Sequence, residues 1–137
     1  MKKTVIIIRA VSGSGKSTFA EYLNDIFKGD AIICCADDYF MVDGEYKFDF
    51  AKLGAAHSMC FYKYTVALEA DHVQLIIVAN TSTRETDVNR YRNEALAKDC
   101  MVFVTTLENW HNGIDVHNVP EESKENMKKQ LLASIKL

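Results

Sequence analysis

Four apolar runs of strand length punctuate the chain: Thr4 to Val11 (TVIIIRAV), Ala31 to Ala36 (AIICCA), Gln74 to Asn80 (QLIIVAN) and Cys100 to Thr106 (CMVFVTT). Each is β-branched or aromatic and apolar without strict alternation, the pattern of a strand buried on both faces. Between and after them the spacing becomes helical. Lys16 to Phe27 sets Phe19, Tyr22, Leu23 and Ile26 at i, i+3, i+4 and i+7, which predicts a helix with that apolar face. Asp49 to Ala70, with Leu53, Ala56, Cys60, Tyr64, Ala67 and Leu68, predicts a long helix. Thr83 to Ala97 predicts a third and Pro120 to Ile135 a fourth, with Pro120 at or just before the first turn. Strands alternating with helices imply right-handed crossovers and a parallel sheet of about four to five strands, covered on both faces. The expected fold is a three-layer α/β/α sandwich.

Composition narrows the class without changing that picture. The 137 residues, 48% hydrophobic and 26% charged, have no repeat or linker. One domain over 1–137 is expected, with no appended domain, because the first strand begins near Met1 and the last helix reaches Ile135. No apolar run approaches the roughly 18 residues needed to span a bilayer, and Arg9 interrupts the only stretch resembling a leader. Cys34, Cys35, Cys60 and Cys100 lack zinc-ligand spacing and read as free thiols, so a cytoplasmic location is expected. A net charge of −3 argues against a broad grip on duplex phosphates. A nucleic-acid substrate would be held locally, at an end.

The chemistry concentrates at strand ends. After the first strand, RAVSGSGKST spans Arg9 to Thr18 and opens the first helix, with Ala10 where GxxxxGK[ST] has its first glycine. Backbone N–H groups of Gly13, Ser14, Gly15 and Lys16 suit a phosphate, and the helix N-terminus adds partial positive charge. Lys16 is placed to bridge the β- and γ-phosphates of ATP, and the Ser17 hydroxyl to take a place on Mg²⁺, with Thr18 closing the loop. Ala10 at the strand end is expected to keep a negative φ and to be tolerated. After the second strand, CADDYF aims Asp37 and Asp38 into the same crevice, where a carboxylate accepts a proton from an attacking hydroxyl or holds Mg²⁺ through water.

Taken together, the phosphate loop, DDYF, DGEYKFDFAKLGAAH, IIVANTST and VHNVPEESKENM resemble the small P-loop kinases related to phage polynucleotide 5′-kinase and the kinase-like domains of NEDD-binding proteins. The resemblance covers nearly the whole chain. It implies that Lys16 and Ser17 bind ATP and Mg²⁺, that Asp37 is the general base, that Asp38 and Thr81 face the acceptor, and that the acceptor is a single-stranded DNA or RNA 5′-hydroxyl end. The loop is also similar to that of small sugar-acid kinases, which keeps small hydroxyl acceptors open.

The chain departs from the family pattern in two places. Where related kinases end the third strand in a DNTN-like sequence, Ala79 and Ser82 depart while Asn80 and Thr81 remain. Where they carry lid arginines, Leu107 to Pro120 contains no arginine or lysine. A missing arginine finger costs on the order of 10³- to 10⁵-fold in rate. Arg84, Arg90 and Arg92 are candidate replacements, Arg84 being nearest the crevice, and a partner is another source. The lid is expected to be short, with Trp110, His111 and His117 in a covering loop. Trp110 is read as a loop anchor or a base-stacking ring, and His57 as a structural histidine at a family position. The alternative function is a nucleotide-binding module with weak or no transfer.

Overall fold

The computed structural model describes residues 2–108 and 117–135, and in them the four apolar runs become one parallel sheet. The elements are β1 (Thr4–Arg9), α1 (Lys16–Phe27), β2 (Ala31–Cys34), a 3₁₀ segment (Ala36–Phe40) and the hairpin β3 (Met41–Val42) and β4 (Glu45–Tyr46). A 3₁₀ turn (Phe50–Lys52) then leads into α2 (Leu53–Glu69), β5 (Leu75–Val78), α3 (Glu85–Ala97), β6 (Met101–Thr106) and α4 (Glu121–Ser134).

Strand order is β2-β5-β1-β6, so Val5 on β1 lies between Ile76 on β5 and Val102 on β6. The chain leaves β1 toward β2 on one side and reaches β6 on the other. This reversal places a crevice at the carboxyl end of β1, where ligands bind in open α/β sheets.

Alternate strand residues serve different layers. Ile8, Leu75, Ile77 and Ala79 pack with Ala20, and with Phe19 and Leu23, on α1. Val5, Ile7, Ile76 and Val78 pack with Ala56, Cys60 and Tyr64 of α2 and with Val88 and Tyr91 of α3. These are the layers of an α/β/α sandwich. The cover thins at β6, an edge strand on which Met101, Phe103 and Val104 are exposed. On α1 the apolar face is narrower than the spacing predicts: Phe19, Ala20 and Leu23 face the sheet, while Tyr22 and Ile26 are exposed. The small Ala20 seats the helix axis close to the strands, and that rotation carries the flanks of the predicted stripe into solvent.

Tyr64 is fully buried between Phe61 and Tyr91, and its hydroxyl donates to the Tyr91 carbonyl at 2.7 Å. Tyr64→Phe keeps the ring and leaves that carbonyl without its donor. It should cost about 1–2 kcal/mol in chemical denaturation with an unchanged m-value.

Candidate functional site

Beyond β1 the chain turns with Ser14 N–H donating to the Val11 carbonyl at 3.2 Å. Gly13 (φ 86°) and Gly15 (φ 83°) both lie in the left-handed region, where a side chain costs about 1–2 kcal/mol. Ala10 is buried and is not among the residues of positive φ, so the missing glycine is accommodated without strain. Its N–H donates to the Thr81 carbonyl at 2.9 Å and ties the loop's base to the end of β5.

Gly15 is the N-cap of α1 and supplies no side-chain cap, so the first-turn N–H groups have no side-chain acceptor. Among the described residues, the side chains of Lys16, Ser17 and Thr18 make no hydrogen bond or ion pair. An ammonium group, two hydroxyls and a helix N-terminus therefore lie uncommitted at one strand–helix junction. These donors fit a nucleotide's phosphates, and the Ser17 hydroxyl fits a divalent cation's shell.

The second strand stops at Cys34 because the Ala36 N–H turns to the Asn80 side-chain oxygen, 2.8 Å away, rather than to a neighbouring strand. The following 3₁₀ segment carries Asp37 and Asp38. Asp38 lines a cavity of about 410 Å³ together with Ser17, Cys35 and Lys63. Asp37 is half-buried one position earlier. The Tyr46 hydroxyl donates to its Oδ1 at 3.1 Å, and His117 Nε2 lies 3.6 Å from its Oδ2.

A second cavity of about 410 Å³ opens beside the end of β5, lined by His57, Asn80, Thr81, Arg84, Arg90 and other residues. Arg84 is the exposed N-cap of α3, and its guanidinium hydrogen-bonds the Asp87 carboxylate at 3.1 and 3.3 Å, which raises its pKa. Arg90 lies over the Phe61 ring at 4.2 Å and Arg92 bonds Asn89. The structure thus brings Ser17 and Asp38 into one cavity and Thr81 and Arg84 into another. Trp110 and His111 lie outside the described residues.

Two contributors escaped the sequence reasoning. Tyr46 reaches Asp37 because Asp43 (φ 51°) and Gly44 (φ 81°) make a two-residue hairpin turn, and Asp-Gly between short apolar stretches is a strong hairpin signal. Lys63 extends from α2 to donate to the Ile33 carbonyl on edge strand β2 at 2.7 Å. A lone lysine beside the apolar stripe of a helix carried no such indication.

Burial, with Asp37 adding to it, pushes the Cys35 thiol up to about 11. Burial likewise pushes Cys34 up to about 12. All four cysteines are free. Iodoacetamide at pH 7.5 should label Cys35 in the folded chain at least about tenfold more slowly than in the urea-unfolded chain, as followed by mass spectrometry.

No family model matches the chain. NEDD4-binding protein 2 of Homo sapiens is 32% identical over 87 residues, 64% of this chain, and the chain spans 5% of that protein's length. Among solved structures, the APS kinase CysC of Mycobacterium tuberculosis aligns over 96% of this chain and 98% of its own, at 15% identity and a TM-score of 0.57. A chain of the Pnkp1/Rnl/Hen1 complex aligns over 99% of this chain and 40% of its own, at 18% identity and a TM-score of 0.59. The fold, a parallel four-stranded sheet flanked by helices, is similar to that of the APS kinase structure. No helix among the described residues is long and apolar enough to cross a membrane.

Proposed function

We propose that the chain is an ATP-dependent phosphotransferase that moves the γ-phosphoryl group of ATP to a hydroxyl acceptor, with a single-stranded nucleic-acid 5′-hydroxyl end as the favoured acceptor. The observation that carries the proposal is that Ser17, next to the uncommitted Lys16 on a glycine loop opening a helix, shares one cavity with Asp38, next to Asp37. Gly13, Ser14, Gly15, Lys16, Ser17 and Thr18 would hold the triphosphate of ATP, and Ser17 and Asp37 would hold Mg²⁺, which supplies charge neutralisation when bound. Asp37 accepts or orients the acceptor proton, and Lys16 stabilises charge on the transferring group. Thr81, next to Asn80, would contact the acceptor from the neighbouring cavity at the end of β5. The preference for a polynucleotide end rests on the motif resemblance; nucleosides and sugar acids are the other acceptors of the right chemistry.

The cation opposite Lys16 is the point at which a different function finds support. Arg84 is bound to Asp87, and Lys63 lines the cavity with Ser17 and Asp38. We assign the supplementary charge to Lys63, with Arg84 contributing only on release from Asp87. A chain in which neither supplies it would act as a nucleotide-binding module, and the arginine-free Leu107 to Pro120 segment favours that outcome.

Calorimetric titration with ATP and Mg²⁺, followed by labelled phosphate transfer to oligonucleotides, nucleosides and sugar acids, tests the proposal. Lys16→Ala should weaken ATP binding by about 10- to 100-fold, the value of a charge-assisted hydrogen bond removed. Equal ATP affinity in wild type and Lys16→Ala would place the nucleotide elsewhere.

A further inference from the structure

Three segments, one of them 80 positions away, meet at Asp37. The carboxylate stands in the 3₁₀ segment that follows β2, Tyr46 comes from the hairpin, and His117 from the segment before α4. The Tyr46 hydroxyl donates to Oδ1 at 3.1 Å and His117 Nε2 lies 3.6 Å from Oδ2, so each carboxylate oxygen faces a different side chain. The two side chains also hold one another: their ring centroids are 4.0 Å apart, at an interplanar angle of 35°. Behind Tyr46 stand Phe40, with ring centroids 6.1 Å away, and Phe48, stacked at 6.4 Å. Phe40 is buried, so the arrangement is anchored in the core rather than on a free loop.

We propose that Tyr46 and His117 form a clamp that positions the Asp37 carboxylate. The proposal rests on Asp37 being the base of the phosphotransferase above, and it assigns these two side chains the task of holding that carboxylate in place. An unrestrained aspartate rotates about two side-chain bonds, whereas a base must present one oxygen to the acceptor hydroxyl within hydrogen-bond reach. Tyr46 holds Oδ1. The imidazole, braced on the Tyr46 ring, confines the approach to Oδ2, which is left for the acceptor hydroxyl or a metal-bound water. The Leu107 to Pro120 segment, lacking arginine, then contributes to the crevice through His117 at the base instead of through a cation at the phosphates. Neither side chain touches the reacting atoms; both act through Asp37.

Tyr46→Phe removes only the hydroxyl and His117→Phe removes only the ring nitrogens, and both retain the stack, so the hairpin should stay folded. With 13C-labelled aspartate at one fixed pH and no nucleotide, the Asp37 carboxylate resonance, assigned through Asp37→Asn, should shift in both variants while most other aspartates do not. In phosphate transfer each variant should lose on the order of tenfold in kcat, with KM for ATP unchanged, as expected for a lost hydrogen bond to a charged group at Tyr46 and a lost close polar contact at His117. An Asp37 resonance unmoved in both variants overturns the clamp. So does a shifted resonance accompanied by unchanged kcat in an active enzyme. A shifted resonance in a chain that transfers phosphate to no acceptor upholds the clamp's geometry and overturns the phosphotransferase function instead.

Discussion

Asp37→Asn should lower phosphate transfer by about 10²- to 10⁴-fold, the usual contribution of a general base, while ATP affinity changes less than about threefold. The asymmetry follows from position. Asp37 follows β2, two strands away from β1 across β5, and its carboxylate is in contact with Tyr46 and His117 rather than hydrogen-bonded to the loop that follows β1. The amide keeps the side chain's volume, and its oxygen still accepts from Tyr46. It removes the negative charge and the basicity. Asp38→Asn is the internal comparison, because Asp38 lies beside Ser17 in the cavity whereas Asp37 faces Tyr46 and His117. A larger loss at Asp38 than at Asp37, in steady-state transfer measured side by side, would move the base by one residue.

The second large effect concerns stability. Arg9→Met should cost about 2–4 kcal/mol and lower the melting temperature by roughly 10 °C. Arg9 is 5% exposed. Its Nε donates to the Ser82 carbonyl at 2.8 Å and its Nη2 to the Thr83 carbonyl at 3.1 Å. The Ser134 hydroxyl and carbonyl accept at 2.6 and 3.3 Å. One guanidinium therefore ties β1 to the β5–α3 connection and to the end of α4. Burial lowers its pKa, opposed by Asp87 and Glu85, yet an arginine remains protonated at any working pH. Methionine fills much of the volume and removes the cost of burying the charge, which offsets part of the loss. The carbonyls of Ser82 and Thr83 are left without this donor, and Ser82 holds a left-handed φ of 48° that these bonds help to fix. A loss below about 1 kcal/mol in differential scanning calorimetry would mean that the connection finds other partners.

The parts of this fold legible in the sequence are those with local causes. Lys16 to Phe27 forms the predicted helix because a glycine N-cap and helical spacing both act within a few residues. The four strands lie inside the four apolar runs, each shorter than its run. The Asn80 bond to Ala36, which truncates β2, joins residues 44 apart and leaves no local pattern. Ser17 and Asp38 line one cavity, as expected of residues at the carboxyl ends of strands in one parallel sheet. Tyr46 and His117 could not be placed at Asp37 in the same way. Tyr46 depends on a hairpin whose Asp43-Gly44 signal lies inside an otherwise irregular segment, and His117 approaches from 80 positions away. Arg84 shows the converse limit: proximity in sequence to Thr81 put it near the crevice, while its partner Asp87 decides where the charge is spent.

The most direct measurement is transfer of γ-labelled phosphate from ATP, with Mg²⁺, to 5′-hydroxyl oligonucleotides, nucleosides and sugar acids, by wild type beside Lys16→Ala and Asp37→Asn. Label on an acceptor with wild type, lost in both variants, is the expected result, and a 5′-hydroxyl end as the labelled species would fix the favoured acceptor. Label on no acceptor while ATP still binds, or undiminished transfer by Asp37→Asn, would contradict a phosphotransferase built on this crevice.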